Sequence, residues 1–95
     1  MNPIFPDLKD RSVFITGGGS GIGAALTRAF LQQGAQVTFV QRSDATDFQN
    51  NVAKETANRP TFLQCDISDA AALKAAIKET SETQGPVQVL VNNAA

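Results

Sequence analysis

Apolar and polar positions along this chain follow two alternating spacings, and each spacing predicts a different kind of element. Ser12-Val13-Phe14-Ile15-Thr16 follows a charged stretch and ends in glycines. A short unbroken apolar run of this kind predicts a buried strand. From Gly21 onward Ile22, Ala25, Leu26, Ala29 and Phe30 fall three and four apart, predicting a helix with one apolar face, and Gly34 is its stop signal. Val37-Thr38-Phe39-Val40 predicts a second strand, rich in β-branched residues, closed by Arg42-Ser43-Asp44. Between Asp44 and Asn58, the fourfold spacing of Phe48, Val52 and Thr56 predicts a second helix. Pro60 punctuates the chain before a third strand, Thr61-Phe62-Leu63-Gln64-Cys65. Ser68 or Asp69 can cap the next helix, whose Ala70, Leu73, Ala76, Ile77 and Thr80 share a face. Gly85-Pro86 ends it, and Val87-Gln88-Val89-Leu90-Val91 predicts a fourth strand ahead of Asn92-Asn93-Ala94-Ala95.

The order is therefore βαβαβαβ, without repeats or low-complexity tracts. Strands that are apolar on both faces and alternate with helices belong to a parallel sheet covered on both sides. Right-handed crossovers then favour the α/β class, a Rossmann-type doubly wound parallel sheet with strand order 3-2-1-4. In such a sheet a crevice opens where the order reverses, here between strands 1 and 4, at their carboxyl ends. The glycine-rich turn after strand 1 and the asparagine pair after strand 4 both fall at that point.

That turn reads Thr16-Gly17-Gly18-Gly19-Ser20-Gly21-Ile22-Gly23. A tight strand-to-helix turn needs positive φ, or no side chain where backbones approach, and glycine supplies both. The N–H groups and positive dipole end of the helix that follows suit a pyrophosphate. Two registers fit: Gly19-x-Gly21-x-x-Ala24, and the spaced Thr16-Gly17-x-x-x-Gly21-x-Gly23. A Walker phosphate loop does not, because no Lys-Ser/Thr follows the last glycine.

Composition matters mostly through what it leaves out. A net charge of -1 and a pI near 5.1 argue against a nucleic-acid binder, which carries a basic patch. No apolar run approaches membrane-spanning length, and Met1 to Arg11, with its charges and prolines, is not a secretory leader. One cysteine, Cys65, makes neither an internal disulfide nor a zinc site, and is expected to be an inert core residue. These features lead to the expectation of a cytoplasmic protein. The chain has no His, Tyr or Trp. The commonest general base and any phenolic acid are thus missing from these 95 residues, and no metal ligand set is expected.

The strings TGGGSGIG at 16–23, CDIS at 65–68 and VNNAA at 91–95, in this order and at these separations, resemble the classical short-chain dehydrogenase/reductase family. The likeness covers the chain from about Leu8, and Ala95 stands where the family usually has glycine. The resemblance implies that Gly17, Ser20 and Ile22 lie along the pyrophosphate and ribose of a nicotinamide dinucleotide, within a loop that includes Gly19, Gly21 and Gly23. Ser20 can equally be a loop serine that satisfies its own turn. Asp66 and Ile67 would border the adenine, while Asn92, Asn93 and Ala94 would sit beneath the cofactor and tie strand 4 to its neighbours. The family's catalytic Ser and Tyr-xxx-Lys lie beyond strand 4, so no catalytic residue is assigned. Residues 1–95 are expected to be the N-terminal part of one NAD(P)-binding domain, with the catalytic C-terminal part absent. The implied activity is hydride transfer between the nicotinamide and an alcohol or carbonyl substrate, in a homo-oligomer. Phe5-Pro6-Asp7-Leu8-Lys9 and VNNAA are similar to a subgroup that oxidises aldose sugars at the anomeric carbon. The alternative is a non-catalytic module that binds or senses a dinucleotide.

Cofactor choice turns on the end of strand 2. An NAD site usually carries an acidic residue there for the ribose 2′-hydroxyl. Here the position is Gln41, followed by Arg42, whose planar cation suits a 2′-phosphate. The expectation is therefore NADP ahead of NAD, with Asp44 reserved for capping the next helix. Ser20 counts the other way, since NADP-using relatives often have a basic residue at its position.

Overall fold

A computed structural model describes residues 8–19 and 21–93. The elements run β1 (Ser12–Thr16), α1 (Gly21–Gln32), β2 (Gln36–Gln41), α2 (Thr46–Thr56), β3 (Thr61–Gln64), α3 (Ala70–Gln84) and β4 (Val89–Asn92). All strand pairs are parallel, in the order β3-β2-β1-β4 expected from the sequence. The leader through Asp7, Ser20, Ala94 and Ala95 lie outside the described residues.

Burial follows position in the sheet. Every residue of the central β1 is buried, and β2 is buried from Val37 to Val40. The outer strands differ from the sequence expectation: β3 and β4 are only partly covered, and Leu90 is 62% exposed. One boundary of each outer strand also shifts from the sequence expectation. The ladder of β4 begins at Val89 opposite Val13: the Gln88 N–H reaches the Ser12 carbonyl, but the Ser12 N–H is taken by the Gln88 side-chain Oε1 at 3.1 Å and not by a backbone carbonyl. At the other edge, β3 closes at Gln64 rather than Cys65.

Alternation on β1 divides the core. Val13 and Ile15 pack with Val37, Phe39, Leu31 and Val52 on the face covered by α1 and α2. Phe14 and Val40 face the other way, with Cys65 and Ala76 on the α3 side. Phe39 stacks on Phe62 with centroids 5.1 Å apart and meets Phe48 edge-on at 5.5 Å, so these rings are packing residues.

The apolar face expected for α1 needs correction. Its buried residues are Gly23, Ala24, Thr27 and Leu31, with Leu26 and Phe30 partly covered. Ile22 is 73% exposed, and Ala25 and Ala29 are exposed. Small residues at the head of the helix let it approach its own turn closely, which rotates the buried stripe by about one residue from the one hydropathy picks out. At α3 the cap is Asp69, whose carboxylate accepts from the Ala72 N–H at 3.1 Å. Asp44 serves α2 from one residue before the N-cap Ala45, accepting from the N–H and hydroxyl of Thr46.

The amino-terminal end of the sheet is closed by Gln84, on the last turn of α3. Its Nε2 donates to the Ser12 hydroxyl at 3.0 Å, the Val13 carbonyl at 3.3 Å and the Gln36 carbonyl at 2.9 Å. Its Oε1 accepts from the hydroxyl of fully buried Thr38 at 2.9 Å. No described helix is long and apolar enough to cross a membrane.

Candidate functional site

β1 has β2 on one side and β4 on the other, so the chain direction around the sheet reverses beside it. The segments following β1, β2, β3 and β4 share one end of the sheet, because all four strands are parallel.

Gly17 leaves β1 with φ +70°, a conformation that L side chains rarely adopt. Its N–H donates to the Val40 carbonyl at 2.7 Å, and its own carbonyl accepts from Asn93 Nδ2 at 3.3 Å. Gly23 faces that same Gly17 carbonyl, and a Cβ at position 23 would overlap it. Of the two registers open in the sequence, the spaced one carries these demands: Gly17 and Gly21 have positive φ and Gly23 is the point of close approach. α1 begins at Gly21, so the N–H groups of its first turn lie at the end of the glycine turn.

Thr16 joins this turn to β4. Its hydroxyl accepts from the Asn93 N–H at 2.9 Å and lies 3.1 Å from Asn92 Oδ1, to which it donates. Asn92 and Asn93 therefore bind the end of β4 to the end of β1 and to the glycine turn.

Gln41 lies at the end of β2, with its Nε2 donating to the carbonyl and hydroxyl of Ser43, both at 3.1 Å. A carbonyl acceptor requires the amide nitrogen on that side, so Oε1 is turned toward Gly19, where it occupies the space a Cβ would need. Arg42 is exposed, and its charge helps hold the Asp66 carboxyl below the ordinary range. The larger causes there are hydrogen bonds from the hydroxyl of Ser68 at 2.7 Å and its N–H at 3.0 Å. One carboxylate oxygen of Asp66 is thus held by its own turn, while Asp69 does the capping. Ile67 packs against the core cluster of Phe14 and Val40. Burial pushes the Cys65 thiol up, with Asp69 and Asp66 adding to the effect, so it remains a protonated core group.

The structure thus gathers Gly17, Gly19, Gly21, Gly23, Gln41 and Asn93 about one turn, with Arg42 and Asp66 electrostatically linked beyond Gln41. Ile22 stands on the exposed side of the first turn of α1. The sequence reading missed Thr27, whose hydroxyl donates to the Gly18 carbonyl at 2.9 Å. Its spacing from Ala24 and Leu31, three and four residues, is the signal that marks its face. Among the described residues no group of three His, Cys, Asp or Glu side chains could hold a metal ion.

A model of the short chain dehydrogenase family matches residues 11–95. The chain belongs to that family. A probable galactose dehydrogenase of Rhizobium meliloti is 50% identical over 93 residues, which are 96% of this chain and 36% of that protein. D-xylose 1-dehydrogenase of Caulobacter vibrioides is 44% identical over 94 residues, again 96% of this chain and 36% of the relative. This short chain dehydrogenase sequence therefore spans about a third of the length of the curated relatives it matches. Among solved structures, an NADH-dependent reductase in complex with NAD superposes with a TM-score of 0.85 at 27% identity, over 97% of this chain and 39% of the reductase.

Proposed function

We propose that the protein is a nicotinamide-dinucleotide-dependent oxidoreductase and that this chain supplies its cofactor site. The observation that carries the reading is the glycine turn at the reversal of strand order, closed so tightly that Gly23 lies against the Gly17 carbonyl. Turns of that kind place the N–H groups of a helix end against a pyrophosphate. In this reading the loop Gly17, Gly19, Ser20, Gly21, Ile22 and Gly23 receives the pyrophosphate and adjoining ribose. Asp66 and Ile67 border the adenine, and Asn92, Asn93 and Ala94 support the cofactor from below. The bound nicotinamide would carry the hydride, with an alcohol or carbonyl as the reacting group.

The substrate we propose is an aldose oxidised at its anomeric carbon, since two relatives at 44–50% identity are named as galactose and xylose dehydrogenases. We further propose NADP ahead of NAD. Gln41 places no carboxylate at the strand end to repel a 2′-phosphate, and the exposed Arg42 beside it offers a permanent positive charge. One charge-assisted contact of this kind corresponds to roughly ten- to a hundredfold in affinity.

The test is to titrate the full-length protein with NADPH and NADH by nicotinamide fluorescence, and then to assay galactose and xylose with each oxidised cofactor. Tight binding, turnover and a higher kcat/KM with NADP are expected, and Arg42→Ile should erase the preference. Equal or better use of NAD overturns the preference alone. Binding without turnover on any sugar or simple alcohol favours a dinucleotide-sensing module, and no binding of either cofactor refutes the whole reading.

A further inference from the structure

The helices of this protein show what a threonine hydroxyl ordinarily does in a helix. Thr56, Thr80 and Thr83 each donate to the carbonyl four residues back, at Val52, Ala76 and Glu79. Thr27 does not. Its hydroxyl leaves α1 and donates instead to the carbonyl of Gly18, nine residues back, in a bond that is wholly buried. Thr27 itself is 0% exposed, and Gly18 is buried too.

Gly18 is wedged in place as well as bonded. A Cβ on it would meet the Cβ of Phe39 on one side and the Thr27 hydroxyl at 2.8 Å on the other. The Gly18 carbonyl therefore points inward, toward the sheet-facing side of α1. In a trans peptide the C=O and the next N–H point in opposite directions. Fixing the Gly18 carbonyl inward consequently turns the Gly19 N–H outward, away from the core.

The geometry points to Thr27 as a positioning residue for the dinucleotide: its hydroxyl sets the orientation of the Gly18–Gly19 peptide, and so aims a backbone donor at the cofactor. This inference rests on the reading that the turn receives a dinucleotide. Without the hydroxyl a buried carbonyl loses its partner, and the peptide gains a reason to rotate toward water. Rotation turns the N–H away from the ligand. The effect belongs to binding and not to the chemical step.

Three variants of the full-length protein separate the hydroxyl from the shape: Thr27→Val keeps the branched outline, Thr27→Ser keeps the hydroxyl, and Thr27→Ala keeps neither. The readouts are NADH and NADPH dissociation constants by fluorescence and melting temperature without ligand. Thr27→Val and Thr27→Ala are expected to bind about five- to tenfold more weakly than the wild type, a loss typical of one neutral hydrogen bond. Thr27→Ser should bind within about twofold of the wild type, even though it loses packing and melts lower. Wild-type affinity in folded Thr27→Val, or equal affinities in the Ser and Ala variants, overturns the positioning role. If Thr27→Val does not fold, the Ser-to-Ala comparison decides alone. If neither Val nor Ala folds, the hydroxyl serves stability and the inference falls. A wild-type protein that binds neither cofactor refutes the dinucleotide reading and this role with it, whereas wild-type binding unchanged across all three variants removes only Thr27.

Discussion

The side-chain amide of Asn93 donates to the carbonyl of Gly17 at 3.3 Å, across 76 residues of sequence. The same asparagine uses its backbone N–H on Thr16, so one residue after β4 fixes two consecutive residues at the end of β1. The glycine turn is thus shaped from the neighbouring strand as much as from its own glycines.

Removing that amide should loosen the turn without disturbing the ladder. Asn93→Ala is expected to lose about 0.5–1.5 kcal/mol of folding stability, the contribution of one such bond. Urea unfolding of the full-length protein measures it. A midpoint equal to that of the wild type would mean the amide does not hold the turn.

Gly23 and Gly19 both lack room for a side chain, but for different reasons. At Gly23 the obstacle is the backbone carbonyl of Gly17, which cannot move without opening the turn. At Gly19 the hard overlap is with the end of the Gln41 side chain, which can swing aside, and the Cβ of Ala45 at 3.0 Å need give only by a few tenths of an ångström. Gly23→Ala should therefore cost about 1–3 kcal/mol and weaken cofactor binding, while Gly19→Ala should fold with a loss of under about 1 kcal/mol. Thermal melts of the pair test this, and a larger loss at Gly19 would contradict it.

Stability should decline on both sides of neutrality. Hydrogen bonds from Ser68 and Thr46 hold the carboxyls of Asp66 and Asp44 below their ordinary 3.8. Those groups keep their charge to lower pH in the folded protein than in the unfolded chain. The stability they lend is present above about pH 4 and is lost as the pH falls through the folded values. Cys65 acts in the opposite sense, since its raised value keeps the thiol protonated in the folded state. Above its ordinary 9.0 the unfolded chain sheds that proton more readily, which favours unfolding. In urea titrations from pH 2 to 10, the Asp44→Asn/Asp66→Asn protein should show a shallower acid limb than the wild type. Identical acid limbs would show that these two turns do not contribute.

β1, β2 and the sheet order could be read from the sequence because an unbroken apolar run has few places to go in an α/β protein. The face of α1 could not. Hydropathy rates Ile22 as core and Thr27 as surface, whereas the helix must present Gly23 and Ala24 to its own turn, leaving Ile22 outside. The start of β4 was hidden as well: Val87 looks like strand, but the Ser12 N–H bonds the Gln88 side chain, and the ladder starts only at Val89. At the candidate site, the glycines and asparagines announced themselves by type and spacing. The joins between them did not, because Thr27 to Gly18 and Asn93 to Gly17 are contacts of the folded chain that no local pattern encodes.

Gln84 has a consequence for how this chain can change over evolutionary time. Its amide meets two carbonyls and a hydroxyl through its nitrogen and a second, buried hydroxyl through its oxygen, so it fits as a donor and acceptor together. Glutamate would set a negative oxygen against the Val13 and Gln36 carbonyls, and leucine would strand the Thr38 hydroxyl. Ser12, Thr38 and Gln84 are therefore expected to drift only in concert. Substitutions that alter one of them should persist in lineages where the others have already yielded, so three positions far apart in sequence behave as a single inherited unit at the amino-terminal end of the sheet.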